Sequence, residues 1–200
     1  MDIFDAIEKR RSVKHYDTTV KITEEEFNRL MSTVILSPTS YNIQNWRFVR
    51  VTDKKLRKKL QEAAWGQSQV TEASDLIILC ADLDSWSDRP NRYWVNANEE
   101  TRSMLLPMIE AFYSGKDQVQ RDEAMRSCGL AAQTLMLAAK AMGYDTCAMI
   151  GFDPQTVATL INLPEKHVIG MMITVGKAAK SANPRGGQVP LREVLIKNTF

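Results

Sequence analysis

The segment from Arg10 to Lys14 places three cationic side chains and one hydroxyl within five positions, directly after the short apolar pattern of residues 3–7. The guanidinium groups of Arg10 and Arg11 could hold a phosphate monoester through paired hydrogen bonds, with Ser12 as a neutral donor. Lys14 would add a point charge slightly further along the chain. The pattern predicts an anion receptor at a helix end, although on spacing alone a solvated basic turn is the commoner explanation.

A second polar segment, residues 37–48, separates a helical pattern from a strand-like pattern. Within it Ser40, Asn42 and Gln44 alternate, so that in an extended loop their side chains would point the same way. Such hydroxyl and amide groups could recognise sugar hydroxyls and ring edges, and Pro38 at the start of the loop belongs to the same candidate site. The alternative is a surface loop held by local side-chain hydrogen bonds.

Two further pairs of residues could face a ligand. Gln67 and Gln69 alternate before a buried strand, and their amides could pair with the donor–acceptor edge of a pyrimidine-like ring. Ile150 and Gly151 could offer backbone N–H groups where glycine permits close approach. Exposed loop glutamines and a plain turn are the commoner explanations of these two patterns.

A late arginine, Arg185, lies in a loop rich in glycine and proline. Together with Lys177 it could close on a phosphate, although an exposed loop cation is an equal alternative. The cations, hydroxyls and amides together describe a receptor for a phosphorylated, amide-rich, planar molecule. Flavin mononucleotide (FMN) has those properties.

Composition narrows the class of protein. The 200 residues favour one domain, and the net charge of +2 argues against nucleic acid as the main partner. The three cysteines form no CxxC motif and the chain has only two histidines, so no metal site is predicted. No signal peptide or membrane span is recognised, and free cysteines favour a reducing compartment, so cytoplasmic residence is the expectation.

Helical and strand-like patterns predict an α+β fold with a small sheet wrapped by helices. Predicted helices cover residues 2–9, a segment from Thr23 that Pro38 stops, 54–64, 98–113, 118–142 and a segment from Asp153; predicted strands cover 46–52, 76–81 and 168–175. Thr23 and Glu26 form a capping box at the second helix. The long helix 118–142 is apolar nearly all round, which predicts burial or an oligomer interface. The lysines of residues 54–60 are predicted to form a solvated face.

With these motifs in order, the chain resembles the nitroreductase family of FMN-dependent oxidoreductases, and in particular its short bacterial NAD(P)H nitroreductase branch. The resemblance rests on residues 10–14, 37–44 with Trp46 and Phe48, the Gly129 helix through Thr146, 151–153 and 173–177. It implies a single domain over residues 1–200 with a mostly antiparallel sheet. Residues 83–117 would form a substrate-pocket excursion, and residues 178–200 an arm exchanged in an obligate homodimer.

The resemblance also implies residue roles around two FMN molecules at the subunit interface. By similarity, Arg10, Ser12 and Arg185 would hold the phosphate and ribityl groups. Lys14 would lie near the N1/O2 edge of the flavin, and Gln69 near the pyrimidine edge.

The remaining implied contacts come from two loops. Ser40, Asn42 and Gln44 would reach the FMN held mainly by the other subunit. The backbone of Ile150 and Gly151 would face N5 of the flavin.

The implied chemistry belongs to the flavin, which takes hydride from NADH or NADPH and passes electrons to a nitroaromatic, a quinone or a similar small acceptor. One pocket used in turn by both molecules predicts ping-pong kinetics. No catalytic acid or base is expected, and Lys14 would stabilise negative charge on the reduced ring. The alternatives are a flavin-binding protein without turnover, or a flavin enzyme with a specialised substrate, such as a dehalogenase or a flavin-cleaving enzyme.

Two positions depart from the family pattern. Asn45 stands where the family often has proline, and Ala148 to Gly151 stand where it has a Pro-x-Glu-Gly turn. Ile150 thereby replaces the usual glutamate, so any role of that carboxylate is absent here.

Overall fold

A computed structural model describes residues 1–200 and centres on one sheet of four strands. The strands are β1 (Trp46–Val51), β2 (Asp75–Asp82), β3 (Asp145–Met149) and β4 (His167–Gly176). Their order is β1-β2-β4-β3, and each neighbouring pair is antiparallel. The predicted α+β fold is confirmed. β3 was missed because its short Asp-Thr-Cys-Ala-Met sequence lacks alternation and is defined by pairing with the distant β4.

The chain also contains eight α-helices. They are α1 (Ile3–Lys9), α2 (Glu24–Val34), α3 (Lys54–Ala63), α4 (Gln69–Glu72), α5 (Glu99–Tyr113), α6 (Asp117–Ala141), α7 (Pro154–Leu160) and α8 (Leu191–Val194). The capping box of Thr23 and Glu26 is present at the start of α2. α2 ends at Val34, with Ile35 as its C-cap, so the helix has stopped before Pro38 as predicted.

β2 carries the core on both of its faces, as its uniformly apolar sequence predicts. Ile77, Leu79 and Ala81 pack in a cluster with residues of α2 and α6. The alternate residues 76, 78 and 80 pack in a second cluster with residues of α3, β3 and α7. The sheet is therefore sandwiched between two helical layers.

α6 crosses one face of the sheet at close range. Cys128 of α6 packs on a β-bulge, where Gly170 is the extra residue opposite Leu79 and Cys80. A Cβ atom at Gly170 would lie 2.9 Å from Cβ of Cys128, so only glycine fits there. The predicted burial of this helix is confirmed for its inner side, whereas Leu130 on its outer side is exposed.

The lysine-rich helix α3 contains one buried cation, Arg57. Its four lysines are exposed as predicted, but Arg57 between them is only 8% exposed. The Arg57 guanidinium donates to the carbonyl oxygens of Val70, Ala73 and Ser74 at 2.7–3.0 Å. It therefore fastens the segment that contains α4 to α3.

The excursion and the tail differ in how they pack. In residues 83–117, Trp86 and Phe112 pack around Tyr113, with ring centroids 6.1 and 4.9 Å away. The tail from residue 178 onward is almost wholly exposed, including its apolar residues from Val189 to Phe200. No helix of the chain is long and apolar enough to cross a membrane.

Candidate functional site

Residues 10–16 leave α1 as an extended segment beside the edge strand β3. The backbone N–H of Val13 donates to the carbonyl oxygen of Thr146 at 3.1 Å, and Ser12 forms an isolated parallel bridge with Thr146. Val13 is buried, whereas Ser12 and Lys14 are exposed. Because side chains alternate along extended backbone, Ser12 and Lys14 lie on the same open face.

The two arginines predicted to grip a phosphate are brought together. Nη2 of Arg185 lies 3.2, 3.0 and 3.1 Å from the carbonyl oxygens of Ile7, Glu8 and Arg10 at the end of α1. Arg11 donates to the carbonyl oxygen of Asn183, which holds the same loop in place. A cation at a helix C-terminus is stabilised by the exposed carbonyl groups.

These cations have no acidic partners. Ten ion pairs occur in the chain, and none of them involves Arg10, Arg11, Lys14 or Arg185. Since the hydrogen bonds of Arg185 use only Nη2, its other two nitrogens stay free to bind an anion. The cluster is therefore a patch of uncompensated positive charge at one place on the surface.

Lys177 lies in a different environment. Its amino group donates to the carbonyl oxygen of Gly143 beyond the end of α6, and lies 4.6 Å from the ring centre of Tyr144. No hydrogen bond joins it to Arg10 or Arg185. These contacts account for Lys177 as a helix-terminal cation and lend no support to its predicted place at a phosphate.

Gln67 and Gln69 are organised rather than free in solvent. Nε2 of Gln67 donates to the carbonyl oxygen of Gly151 at 2.7 Å, and Nε2 of Gln69 donates to Oε1 of Gln67 at 2.9 Å. Gln69 begins α4 and is only 3% exposed, which excludes an exposed-loop explanation for it. The two amides thus form a chain that ends on the loop between β3 and α7.

That loop presents unused backbone donors. The N–H groups of Ile150 and Gly151 have no acceptor in the chain, and the Ile150 side chain is 79% exposed. Downstream, the N–H of Phe152 donates to the carbonyl oxygen of Ile150 at 3.1 Å, and Asp153 caps α7. The loop therefore offers two adjacent N–H groups on an otherwise anchored turn.

Contacts around Tyr16 and Ser68 join the cationic segment to this loop region. The backbone N–H of Tyr16 donates to Oε2 of Glu72 at 3.1 Å, and the Ser68 hydroxyl donates to the Lys14 carbonyl oxygen at 3.5 Å. The Tyr16 hydroxyl lies 2.9 Å from Oγ1 of Thr174. Burial raises the pKa of Tyr16 far above its usual range, so this hydroxyl stays protonated and structural.

The segment from Pro38 to Gln44 adopts a conformation that the alternation did not predict. The expected extended loop is wrong, because Tyr41, Asn42 and Gln44 have left-handed backbone with φ of 48°, 54° and 43°. Nε2 of Gln44 donates to Oδ1 of Asn42 at 3.2 Å, and Nδ2 of Asn42 donates to the Tyr93 carbonyl oxygen at 2.8 Å. The segment is thus tied to the excursion, and Pro38 is exposed at its start.

No hydrogen bond within the chain joins this second segment to the Arg10–Lys14 segment. Two further contacts run to α6, where the Ser37 hydroxyl donates to Oγ1 of Thr134 at 2.9 Å and the Ser40 N–H donates to Oε1 of Glu123 at 3.4 Å. The predicted site residues therefore fall into three groups: the cations with Ser12 at the end of α1, Gln69 with the Ile150–Gly151 loop, and the segment beside α5 and α6. The Ser68 contact joins the first two groups, and Lys177 lies apart from all three.

Trp65 was not predicted as a site residue. It has left-handed backbone with φ of 55°, and its ring lies 3.3 Å from the position that a Cβ of Gly151 would take. The indole is exposed beside the loop that carries the free N–H groups. An aromatic residue directly before a glycine at a helix end was the signal available in the sequence.

Comparison with known proteins places this geometry in a family. The model of the "Nitroreductase family" matches residues 7–177. Protein DrgA of Synechocystis sp. is 49% identical over 98% of this chain and 95% of its own length. MhqN of Bacillus subtilis, which carries an NAD(P)H nitroreductase name, is 32% identical over 94% of both chains.

Solved structures agree with the sequence matches. A nitroreductase-type protein of Exiguobacterium sibiricum, crystallised in complex with FMN, has a TM-score of 0.92 and 27% identity, covering 99% of this chain and 98% of the other. The ydfN protein of Bacillus subtilis has a TM-score of 0.91 and 32% identity over 97% of both chains. On the strength of the matching family model and these relatives, the chain belongs to the nitroreductase family.

Proposed function

We propose that this protein is an FMN-dependent oxidoreductase that takes hydride from NADH or NADPH and reduces a small electron acceptor. The proposal is based on two features that occur together on one chain, a group of cations and a pair of free N–H groups. The cations at the end of α1 lack acidic partners, and the N–H groups of Ile150 and Gly151 lack acceptors. The contact of Ser68 with the Lys14 carbonyl oxygen joins the two regions.

The cationic group fits the phosphate of FMN. A phosphate monoester carries close to two negative charges at neutral pH, and free guanidinium nitrogens hold it through charge-assisted hydrogen bonds. Arg10 and Arg185 would supply those nitrogens, with Arg11 behind them and Ser12 as a neutral donor. The FMN complex of the Exiguobacterium sibiricum relative supports this choice of ligand.

The loop group fits the flavin ring. When bound, FMN supplies a ring system that accepts hydride and then gives electrons to an acceptor. Lys14 would lie where negative charge grows on reduction and would stabilise it electrostatically. The N–H groups of Ile150 and Gly151 would donate to the ring, and Gln69 would meet its pyrimidine edge.

The protein's own part in the reaction is binding and orientation rather than proton transfer. His15, the histidine next to Lys14, is half exposed, and its Nδ1 lies 3.8 Å from the Glu72 carboxylate. This contact places the His15 ring beside Glu72 at the end of α4. We therefore assign no essential catalytic acid or base, and expect ping-pong kinetics in one pocket.

We also propose a homodimer in which each FMN is held by two chains. The group of Ser40, Asn42 and Gln44 makes no hydrogen bond to the Arg10 group within one chain, so a second copy would complete the site. An apolar groove of about 360 Å³ lies between α1, α2 and α6. Phe4 on α1 is 74% exposed, and the apolar residues of the tail find no cover on their own chain. Burial of this surface would drive association.

The excursion of residues 83–117 would form the wall of the acceptor pocket. Its link to the site is the hydrogen bond from Asn42 to Tyr93. Nitroaromatics and quinones are the proposed acceptor classes, which the nitroreductase name of MhqN supports. The cytoplasm stays the predicted compartment.

An anaerobic absorbance experiment tests this function. We expect the purified protein to be yellow, to bleach on addition of NADH or NADPH under argon, and to recover its colour when a quinone or nitroaromatic is added. A yellow protein that neither reductant bleaches would indicate flavin binding without turnover. A colourless protein that ignores added FMN would overturn the proposal.

A further inference from the structure

The chain of side-chain amides from Gln69 through Gln67 to Gly151 has a fixed direction. The Gly151 carbonyl oxygen can only accept, so Gln67 must present its NH₂ group there, at 2.7 Å. Oε1 of Gln67 then faces Gln69, which must present its own NH₂ group, at 2.9 Å. Because Gln69 is 97% buried by its surroundings, this end of the chain is held rigidly.

The loop at which these amide hydrogen bonds end has no polar side chain of its own at positions 150 and 151. Ile150 is apolar and exposed, and Gly151 has no side chain. A Cβ at Gly151 would lie 3.3 Å from the Trp65 ring and 3.4 Å from Nε2 of Gln67. Between β3 and the cap residue Asp153, the one side-chain hydrogen bond to the loop therefore comes from Gln67.

The hydrogen bond from Gln67 is important because it is made to a glycine, Gly151. The backbone at glycine rotates more freely than at any other residue, so the Gly151 N–H needs an external restraint to keep one direction. Fixing the Gly151 carbonyl fixes the planar peptide that carries the Phe152 N–H, and that N–H donates to the Ile150 carbonyl oxygen at 3.1 Å. Because the Ile150 carbonyl shares its peptide with the Gly151 N–H, the direction of the Gly151 N–H is fixed as well. Aimed donors stabilise a developing charge without reorganising during the reaction.

We propose that Gln67 is a positioning residue, which with Gln69 locks the Gly151 carbonyl and so aims the free N–H group of Gly151 at the flavin ring. This inference rests on the function proposed above. It adds that the pyrimidine edge and the N5 side of the ring are coupled through one side chain. Gln67 itself need not touch the flavin or the substrate.

Two variants of Gln67 test the lock. Gln67→Met keeps the length of the side chain but removes the donor and the acceptor. Gln67→Glu keeps the acceptor for Gln69, and its carboxyl group can donate to Gly151 only when protonated. Gln155→Glu is the matched control, because Gln155 is exposed on α7 and its side chain makes no hydrogen bond.

The first readout is amide hydrogen exchange in the protein freed of FMN, which does not depend on flavin chemistry. We expect the protection of the Phe152 N–H, which bonds to the Ile150 carbonyl oxygen, to fall about fivefold or more in Gln67→Met, the size expected for one lost hydrogen bond. Gln67→Glu should lose this protection near pH 8 and regain it near pH 4, below the ordinary glutamate pKa of about 4.3, as the carboxyl group takes up its proton. Gln155→Glu should follow the wild type at both pH values.

The second readout is the rate of flavin reduction by NADH or NADPH in a single turnover, with the FMN dissociation constant. We expect Gln67→Met to slow reduction about fivefold while FMN affinity changes less, and Gln67→Glu to recover at low pH in parallel with the exchange data. Unchanged protection and an unchanged reduction rate in Gln67→Met, in a wild type that binds FMN, would overturn the inference. A wild type that binds no FMN would instead overturn the proposed function, whatever the exchange data show.

Discussion

Nη2 of Arg185 lies 3.1 Å from the main-chain carbonyl oxygen of Arg10, across 175 positions of sequence. This contact sets the guanidinium of the tail against the end of α1, where the Arg10 side chain is also free of acidic partners. The first segment of the chain and its last loop therefore build one cationic patch. The proposed FMN phosphate would bind there.

Replacing Arg185 tests this patch. Arg185→Ala should raise the FMN dissociation constant about tenfold to a hundredfold, since hydrogen bonds to charged groups contribute about 1.5–3 kcal/mol. Fluorescence titration of the protein freed of FMN, at low and at moderate salt, measures the change. Arg192→Ala, which removes an exposed tail cation, should leave the constant unchanged. Equal affinities in Arg185→Ala and the wild type would exclude a role at the phosphate.

Lys14 is expected to set the redox potential of the flavin. Lys14→Ala should lower the midpoint potential by roughly 30 mV or more, because a lost stabilisation of about 1.4 kcal/mol corresponds to about 30 mV in a two-electron couple. Reduction by NADH or NADPH should slow in parallel. Equilibration with a reference dye under argon gives the potential. Lys58→Ala, on the solvated face of α3, is the control, and an unchanged potential in Lys14→Ala would contradict the assignment.

Arg57 is expected to matter for stability and not for the chemistry. Arg57→Met leaves the carbonyl oxygens of Val70, Ala73 and Ser74 without their donor, so we expect a loss of about 3 kcal/mol in the free energy of unfolding. Urea unfolding followed by circular dichroism measures it. Lys58→Met, one position along, should change the stability by less than about 0.5 kcal/mol. Equal values for both variants would show that the buried guanidinium is dispensable.

Two buried thiols predict a loss of stability at alkaline pH. Burial raises the pKa of Cys80 to about 11 and that of Cys128 to about 12. In the unfolded chain a thiol ionises near its ordinary value of 9.0, so above that pH the unfolded state binds fewer protons than the folded state. Stability should therefore fall as pH rises from about 9 toward 11.

The variant Cys128→Ala isolates one of these thiols. We expect its stability to fall less steeply over the same range, by up to about 1.4 kcal/mol per pH unit relative to the wild type. Urea midpoints at about pH 8, 9, 10 and 11 give the two slopes. Parallel curves for the variant and the wild type would contradict the burial of an un-ionised thiol beneath the bulge at Gly170.

The sequence correctly predicted those parts of the fold that depend on interactions between residues close together in the chain. The apolar run of β2 and the capping box of Thr23 and Glu26 were both correct, because each depends on residues only a few positions apart. β3 and the burial of Arg57 were missed, because both depend on partners distant in sequence. The left-handed loop at Asn42 was also missed, since alternation alone does not report backbone conformation.

For the candidate site too, the residue types could be predicted from the sequence, whereas the contacts between distant residues could not. The cation cluster, the amides and the glycine loop were visible as residue types, and the family resemblance assigned them roles. The bond from Gln67 to Gly151 joins residues 84 positions apart, and nothing in the sequence marked Gln67 over its neighbour Gln69. The helix-terminal place of Lys177 likewise follows only from its contact with Gly143.

Subunit mixing tests whether two chains hold each FMN. Arg10→Ala with Arg185→Ala damages one half of the proposed site, and Ser40→Ala with Asn42→Gly damages the other half. Glycine at position 42 keeps the left-handed backbone accessible. Each double variant alone should bind FMN weakly at every site. A dimer that contains one chain of each kind should have one intact site and one doubly damaged site.

The measurement is the FMN content and affinity of such mixed dimers, purified through two different affinity tags. If two chains hold each FMN, each mixed dimer should bind one FMN with wild-type affinity, and neither parent should bind FMN tightly. Mixed dimers that bind FMN as weakly as both parents would contradict binding by two chains, since both halves of the site would then belong to the same chain.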